Sequence, residues 1–533
     1  MWKRYVFGFL AFSSLFQVNY SSNVLCLFTD CVQSNLVVFM AVANTLIDRG
    51  HNVTIVTSIP IPSQVYPKHK FYHILLDLQA DKIRKLKYLH ITMYNESTPQ
   101  MRVFLDFKES GDTITKMQTD VIKQKRFQEF FHDEGNSFDL MIMGYYYNDF
   151  MVGIGARYGC PIAVVSLWAP FSTLTRWIGN PPTTSYVQVP FTGSSQFMNF
   201  MERFQNFIVD AIIEPVVHSY SEYVMENIYR NLFPDDSYPS YSDMISNISL
   251  VLYNRHFSEL PIRPLVPALV EIGGIQVEDQ SEFLPKVIKD FVDASVNGTI
   301  FFRVGSITRG TGLTPDQLKI LLNVLSKLDQ TVVWEWERSE EHPQEFSNIL
   351  FYPSITPNTI LPHRNVKLYI TDGRPLAIQE AIHHGVPMFG LPLFCEEPYT
   401  VAQMTNGGFG ISLDVNNLTE EGFNESLRKI LKSPQYAQTV KQYSNLYKDR
   451  PNTARETAAF WLEYVIRYRG ALHMQSPLVH MNFIQRWNID VMVAFVIFVW
   501  IFVKLAYIIG FVVRTFVDLK TQRLKFVNKS KKL

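Results

Sequence analysis

Between residues 365 and 392 the sequence NVKLYITDGRPLAIQEAIHHGVPMFGLP sets Asp372, Gly373, Arg374 and Glu380 around a strand, a tight turn and a helix opened by Pro375. The apolar run Val366–Thr371 reads as a buried strand, and proline suits the first position of a helix. Such a turn presents free backbone N–H groups at a helix N-terminus, which is chemistry for holding an anion such as a phosphate. Its first residue, however, is a carboxylate. At ~4 Å from a phosphate charge, in an effective dielectric of about 20, that carboxylate would cost roughly 4 kcal/mol before screening. Arg374 is the compensating group in the turn, and its guanidinium either pairs with a phosphate or cancels Asp372. Beyond the next strand lie the adjacent carboxylates Glu396 and Glu397, which can accept hydrogen bonds from hydroxyls and would repel a further carboxylate.

Other apparent motifs read as structure. His383 and His384 precede Gly385, where a helix end favours histidine through its dipole, so capping outweighs metal binding. GIGARYG at 153–159 has the wrong spacing for a dinucleotide loop and opens an ordinary helix. No Asp-X-Asp sequence offers to hold a metal-bound nucleotide. Cys26, Cys31, Cys160 and Cys395 have neither metal-like pairing nor the density of a disulfide scaffold. No metal or cofactor is expected.

The elements that must position these groups follow from periodicity. NVLCLF (Asn23–Phe28), a helix over 36–49, a stop at Gly50 and NVTIVTS form a strand–helix–strand unit. FDLMIM (138–143) and CPIAVVS (160–166) are core strands within an aromatic-rich stretch. LPIRPLVPALVEIGGIQV carries Pro261, Pro264, Pro267, Gly273 and Gly274 and reads as an interdomain linker. Thereafter TIFFRVGS, a helix over 315–328, TVVWEW, NILFY, VKLYIT, the Pro375 helix and VPMFGLP alternate. That alternation makes a parallel sheet covered by helices, with ligands at the strands' carboxyl ends.

The chain has 533 residues, 47% hydrophobic, with 49 basic and 49 acidic side chains, which suits two or more domains and argues against a nucleic-acid partner. Residues 1–22 have the basic start, apolar run and small-residue end of a secretory signal. Residues 491–513 are long and apolar enough to cross a bilayer, with Lys504 inside the span. Arg514, Lys520, Arg523, Lys525, Lys529, Lys531 and Lys532 follow, against Asp518 alone, which places the tail in the cytosol and the body in a lumen. The ending NKSKKL has the form of a di-lysine retrieval signal. Sequons at Asn52, Asn95, Asn247, Asn297, Asn417 and Asn424 fit a lumenal body.

The 365–392 stretch and its continuation FCEEPYTVAQMTNGGFGISLDVNNLTEEGF are accompanied by LIDRGHNVTIV, PLVPALVEIGGI and RPNTARETAAFWLEYVIRYRGALHM. Together they resemble the membrane-bound UDP-glycosyltransferases, in the form seen in insects and other animals, over nearly the whole chain. The resemblance implies an α/β fold of GT-B type, with two Rossmann-like domains facing a cleft and a C-terminal transmembrane helix. It divides the chain into an acceptor domain (23–255), a linker (256–290), a nucleotide-sugar domain (291–450), helices packing back on the first domain (451–486), the span (491–513) and a basic tail (514–533).

The resemblance also implies roles, and the chain departs from several. The family's Thr-His-Gly-Gly turn, whose histidine contacts the diphosphate, is here Thr371, Asp372, Gly373 and Arg374. Its small hydroxyl residue is Ala377, and the Glu that holds the ribose is kept as Glu380. Gly305 and Ser306 match a family Gly-Ser, whereas the uracil-stacking aromatic falls on Ser354 and its neighbouring Gln on Pro357, leaving Tyr352 as a substitute. The family's Asp-Gln at the sugar is Glu396 and Glu397, which favours UDP-glucose or UDP-N-acetylglucosamine over UDP-glucuronate. The catalytic histidine falls on Asn35 and its carboxylate partner on Gly144; Asp30 and Asp149 are the substitute candidates. An amide is no base at neutral pH. Two functions therefore stand open: hexose transfer from a UDP-sugar to a small lipophilic hydroxyl acceptor, with reduced activity, or an inactive relative that binds lipophiles or modulates active members. For either, the expected setting is the endoplasmic reticulum membrane, single-pass and type I, alone or in a homo- or hetero-oligomer with relatives.

Overall fold

The computed structural model describes residues 21–530 except 31, 63–64, 77–98, 169, 182, 190–196, 260–261, 278–283, 305–312, 337–345 and 394–396. Residues 1–20 of the expected signal segment (1–22), Ser306 and Glu396 therefore lie outside the described residues. Thirteen described strands form two parallel sheets. The first contains β1 (Asn23–Phe28), β2 (Asn52–Thr57), β3 (Tyr72–Leu75), β4 (Leu140–Gly144), β5 (Ile162–Ser166), β6 (Ile248–Tyr253) and β7 (Leu269–Glu271), in the order β3-β2-β1-β4-β5-β6-β7. The second contains β8 (Thr299–Arg303), β9 (Thr331–Glu335), β10 (Ile349–Tyr352), β11 (Val366–Thr371), β12 (Met388–Gly390) and β13 (Gly410–Ser412), in the order β10-β9-β8-β11-β12-β13. Strand order reverses between β1 and β4 and between β8 and β11. At such switch points loops diverge and leave a crevice at the carboxyl ends.

The helices used below are α1 (Gln33–Asp48), α2 (Phe200–Ile208), α3 (Glu214–Leu232), α4 (Tyr241–Ser246), α5 (Pro375–His384), α6 (Glu397–Asn406), α7 (Pro434–Lys448), α8 (Ala454–Arg467) and α9 (Ile489–Ser530). Strands buried on both faces need apolar residues of either parity. In β8, Ile300 and Phe302 join one core with Trp334 and Phe389, while Phe301 joins the other with Val333 and Tyr369. Helix α8 returns to the first domain: Ala458, Leu462 and Val465 enter its core, and Glu463 pairs with Arg49 at 3.1 Å.

Several boundaries differ from the sequence reading, among them the helix expected over 315–328, which ends at Leu325. Helix α1 begins at Gln33 rather than 36, because Gln33, Ser34 and Asn35 are polar and hide its first turn. Asn35 is therefore helical, not part of the loop that carries Asp30. Within the expected linker (256–290), Leu269–Glu271 form the edge strand β7 and Lys286–Asp293 already form a helix of the second half. An edge strand tolerates nearby prolines because one side of its backbone needs no partner. Finally, the apolar span is part of one helix, α9, that continues through the basic residues to Ser530. Lys, Arg, Gln and Leu are good helix formers, so composition does not end it there. Lys504 lies 5.7 Å from the centroid of the Trp500 ring, one turn away. By contact, residues 1–476 and 477–533 are separate compact units.

Candidate functional site

The turn at the end of β11 is built around Gly373, whose φ is +85°. A side chain there would collide with Val401, whose Cγ2 lies 2.0 Å from the position of a Cβ. The Gly373 N–H donates to Thr371 Oγ1 at 3.2 Å, and the Thr400 hydroxyl donates to the Gly373 carbonyl. Arg374 then caps α5 with extended backbone, and its own side chain does not satisfy the helix N-terminus.

Arg374 is instead held by carboxylates. Its Nε lies 3.4 Å from Asp372 Oδ2 and 3.4 Å from Glu397 Oε1, donating a hydrogen bond to the latter. Glu397, whose other oxygen accepts from the Leu393 N–H at 2.7 Å, is buried, as is Asp372. Arg374 Nη2 is also buried and has no hydrogen-bond partner among the described residues. Most native structures do not leave such a donor unsatisfied.

Beside this turn lies a second charged group that the sequence reading missed. Arg303 closes β8 and pairs with Glu335 at the end of β9, Nε to Oε2 at 2.5 Å. Arg303 lies within the run TIFFRVGS, and a charge at the end of a buried strand is the sequence signal for it. Glu380, the residue expected to hold ribose, is buried on α5, and burial pushes its carboxyl up to about 7. The Arg303 guanidinium acts against that rise and Glu335 adds to it. Four carboxylates (Glu335, Asp372, Glu380, Glu397) thus crowd two guanidiniums (Arg303, Arg374). Burial, more than like charge, is what lets Glu380 hold a proton near neutrality.

Tyr352 ends the edge strand β10, three positions from β11 in the sheet, which at ~4.8 Å per strand puts it roughly 14 Å away in the hydrogen-bonding direction. Ser354 is exposed, while Pro357 and Ala377 are buried.

At the switch point of the first sheet, Asp30 follows β1 and Gly144 ends β4. Asn35 Nδ2 donates to Asp30 Oδ2 at 2.6 Å, and the Val32 N–H donates to Oδ1 at 2.8 Å. The amide and the carboxylate therefore form a fixed pair at the start of α1. At Gly144 the ring of Phe39 fills the space a side chain would need, with Cε2 2.8 Å from the position of a Cβ. Asp149, five residues on, is buried and accepts from the Tyr241 hydroxyl of α4 at 2.5 Å. Burial raises its carboxyl to about 6, the Tyr241 hydrogen bond partly offsetting this. The structure thus joins Asp30 to Asn35, and ties Asp149 to α4. Among the described residues, no group of three or more His, Cys, Asp or Glu side chains is placed to hold a metal ion.

The two sheets match solved glycosyltransferases of GT-B architecture. Spinosyn forosaminyltransferase SpnP aligns with a TM-score of 0.54 at 13% identity, covering 84% of this chain and all of that one. Glycosyltransferase VinC in complex with DTDP aligns with a TM-score of 0.52 at 15% identity and the same coverage. At these identities the likeness shows the fold. By sequence, UDP-glucosyltransferase 2 of Dactylopius coccus is 29% identical over 486 residues, 90% of this chain and 91% of the relative. UDP-glucuronosyltransferase 2A3 of Homo sapiens is 25% identical over 485 residues, 86% and 88% respectively. The family model described as UDP-glucoronosyl and UDP-glucosyl transferase matches residues 23–524. With a fold of GT-B type, a family-model match across nearly its entire length and relatives aligned over most of theirs, the chain belongs to the UDP-glycosyltransferase family.

Proposed function

We propose that this protein moves a hexose from a UDP-sugar onto a small lipophilic acceptor whose hydroxyl is already acidic, such as a phenol, more slowly than relatives that carry a histidine base. The observation that carries this reading is Arg374 Nη2, a buried donor without a partner among the described residues at the N-terminus of α5. A diphosphate oxygen would satisfy it and would also meet the helix N-terminus. Asp372 then has a positive use: with Glu397 it holds the guanidinium by Nε and leaves Nη2 for the ligand. Glu380, when ionised, accepts from the ribose hydroxyls. Glucose or N-acetylglucosamine suits the Glu396–Glu397 end better than glucuronate, because a uronate would meet further negative charge.

At the acceptor the Asn35 amide takes no proton, so the acceptor must give up its own readily, with Asp30 as the nearest carboxylate to Asn35. Direct attack at the sugar carbon inverts its configuration. The test is glycoside formation from UDP-glucose and UDP-N-acetylglucosamine with a series of phenols of falling pKa and with an aliphatic alcohol. Turnover should rise with phenol acidity and be absent for the alcohol, and Asn35→His should narrow that difference. No product from the most acidic phenol, beside a working relative, would defeat the proposal.

A second reading is a binder or modulator without transfer, in the same membrane-anchored setting. It is favoured by the two carboxylates already on Arg374, which compete with a phosphate. Calorimetry with UDP, using Glu380→Ala as control, separates the two: absence of binding at millimolar UDP by folded protein supports the binder. For localisation we propose a type I protein of the endoplasmic reticulum membrane, body lumenal. Its supports are the apolar start, the sequons, the basic tail and, among the described residues, one helix apolar enough to cross a membrane, with mean hydropathy 2.6.

A further inference from the structure

Helices α2 and α3 are joined by a π-helical segment, Val209–Ile213, into one helical stretch from Phe200 to Leu232. Its start is fixed by a capping box, in which the Asn199 side chain accepts from the Glu202 N–H and the Glu202 carboxylate accepts from the Asn199 N–H. One face is pinned to the body. Asn206 is buried, donates to the carbonyls of Thr184 and Val187, and accepts from the Val189 N–H; Met225 and Tyr229 are buried further along.

The other side is apolar and bare. Phe200, Met201, Phe204, Val216, Tyr220 and Tyr223 are between 51% and 69% exposed. At about 100° per residue, an unbroken α-helix would put the first three roughly 120° from the last three. The π segment turns less per residue, and so brings the second group round toward the first. Pro215, which lacks an N–H, lies two residues beyond the segment. Exposed apolar surface gathered along one helix is unusual for a soluble face and marks an interaction site.

We propose that this face lies in the interfacial layer of a lipid bilayer. Three observations select a bilayer as the occupant. The chain carries its own candidate span, Ile489–Leu524, and only residues 477–488 separate it from the globular unit. Fully extended, that connection reaches about 40 Å, so a bilayer stays within reach of the globular unit. The face combines phenylalanine with tyrosine, whose apolar body and polar tip suit the headgroup boundary. Nearby charges are already used, Glu202 in the cap and Glu226 with Arg230, which fits a zwitterionic surface rather than an anionic one.

The test uses the full chain in phosphatidylcholine vesicles containing doxyl-labelled lipid. A fluorophore is attached at Met201→Cys and, in a second protein, at Phe204→Cys. Val287→Cys, at an exposed position on the Lys286–Asp293 helix, is the control, and wild-type protein corrects for labelling of the natural cysteines. The two helix sites should be quenched several-fold more than Val287. Equal quenching at all three sites overturns the proposal. Self-quenching between labelled copies without doxyl quenching also overturns it and assigns the face to a second copy of the chain.

Discussion

Replacing Arg374 by leucine tests the reading of the phosphate turn most directly. Nε lies 3.4 Å from each of two buried carboxylate oxygens, and at an effective dielectric of 20 each contact is worth about 5 kcal/mol of Coulomb energy before desolvation. Desolvation cancels much of that in the intact triad, but removing the cation leaves Asp372 and Glu397 buried and uncompensated. Breaking buried pairs in this way costs about 3–5 kcal/mol. At ~2–4 °C per kcal/mol for a domain of this size, Arg374→Leu should lower the melting temperature by roughly 10 °C at pH 7.5. Asp372→Asn in the same chain should restore most of the stability, because the remaining Glu397 keeps the Leu393 N–H. Differential scanning calorimetry of the three proteins, with UDP titrations alongside, reads both consequences. A single variant that melts within a degree or two of wild type, with no gain in the double, would refute the ionic role assigned to Asp372.

Glu380 titrates at about 7; if the ionised form grips ribose, UDP affinity should fall about tenfold from pH 8 to pH 6 by linkage, and Glu380→Gln should flatten the profile in calorimetry. Gly144→Asp should destabilise by roughly 1–3 kcal/mol through overpacking against Phe39, and Phe39→Leu should relieve it. Asn35→His should gain more turnover with that pair of changes than without it. Asp149 is raised from 3.8 to about 6, so the native state binds its proton more tightly than the unfolded chain. Its contribution is full below pH ~4 and lost as pH rises through 6, roughly 3 kcal/mol across two units. Asp149→Asn should remove that slope in unfolding measured from pH 4 to 7, and a variant that keeps the slope would show that another group causes it.

The strand cores and the turn–helix signal were legible because each is local: β1 and β11 match the apolar runs residue for residue. What periodicity could not show was which residues meet. Asn35 and Asp30 are five apart in sequence, yet their hydrogen bond required α1 to start earlier than its apolar pattern. Gly144 reads as a missing carboxylate, whereas the space beside it belongs to Phe39, from a helix over a hundred residues earlier. Arg303 was hidden because its partner Glu335 lies on the neighbouring strand. Strand β7 was obscured by the prolines before it and by its three-residue length.

Helix α5 carries, next to Glu380, the buried amide of Gln379. That amide donates to the Asn254 carbonyl at 2.6 Å and to Glu259 at 3.2 Å, and accepts from Gln276 at 3.1 Å. Asn254 and Gln276 belong to the segments around β6 and β7, so these hydrogen bonds cross from one sheet's domain to the other's. Adjacent residues of one helix thus grip the segments around β6 and β7 and face the Arg303–Glu335 pair. If Glu380 holds the ribose as proposed, a swing of one sheet against the other would strain or release the helical turn that holds it, and hinge angle and nucleotide occupancy would be mechanically one coordinate.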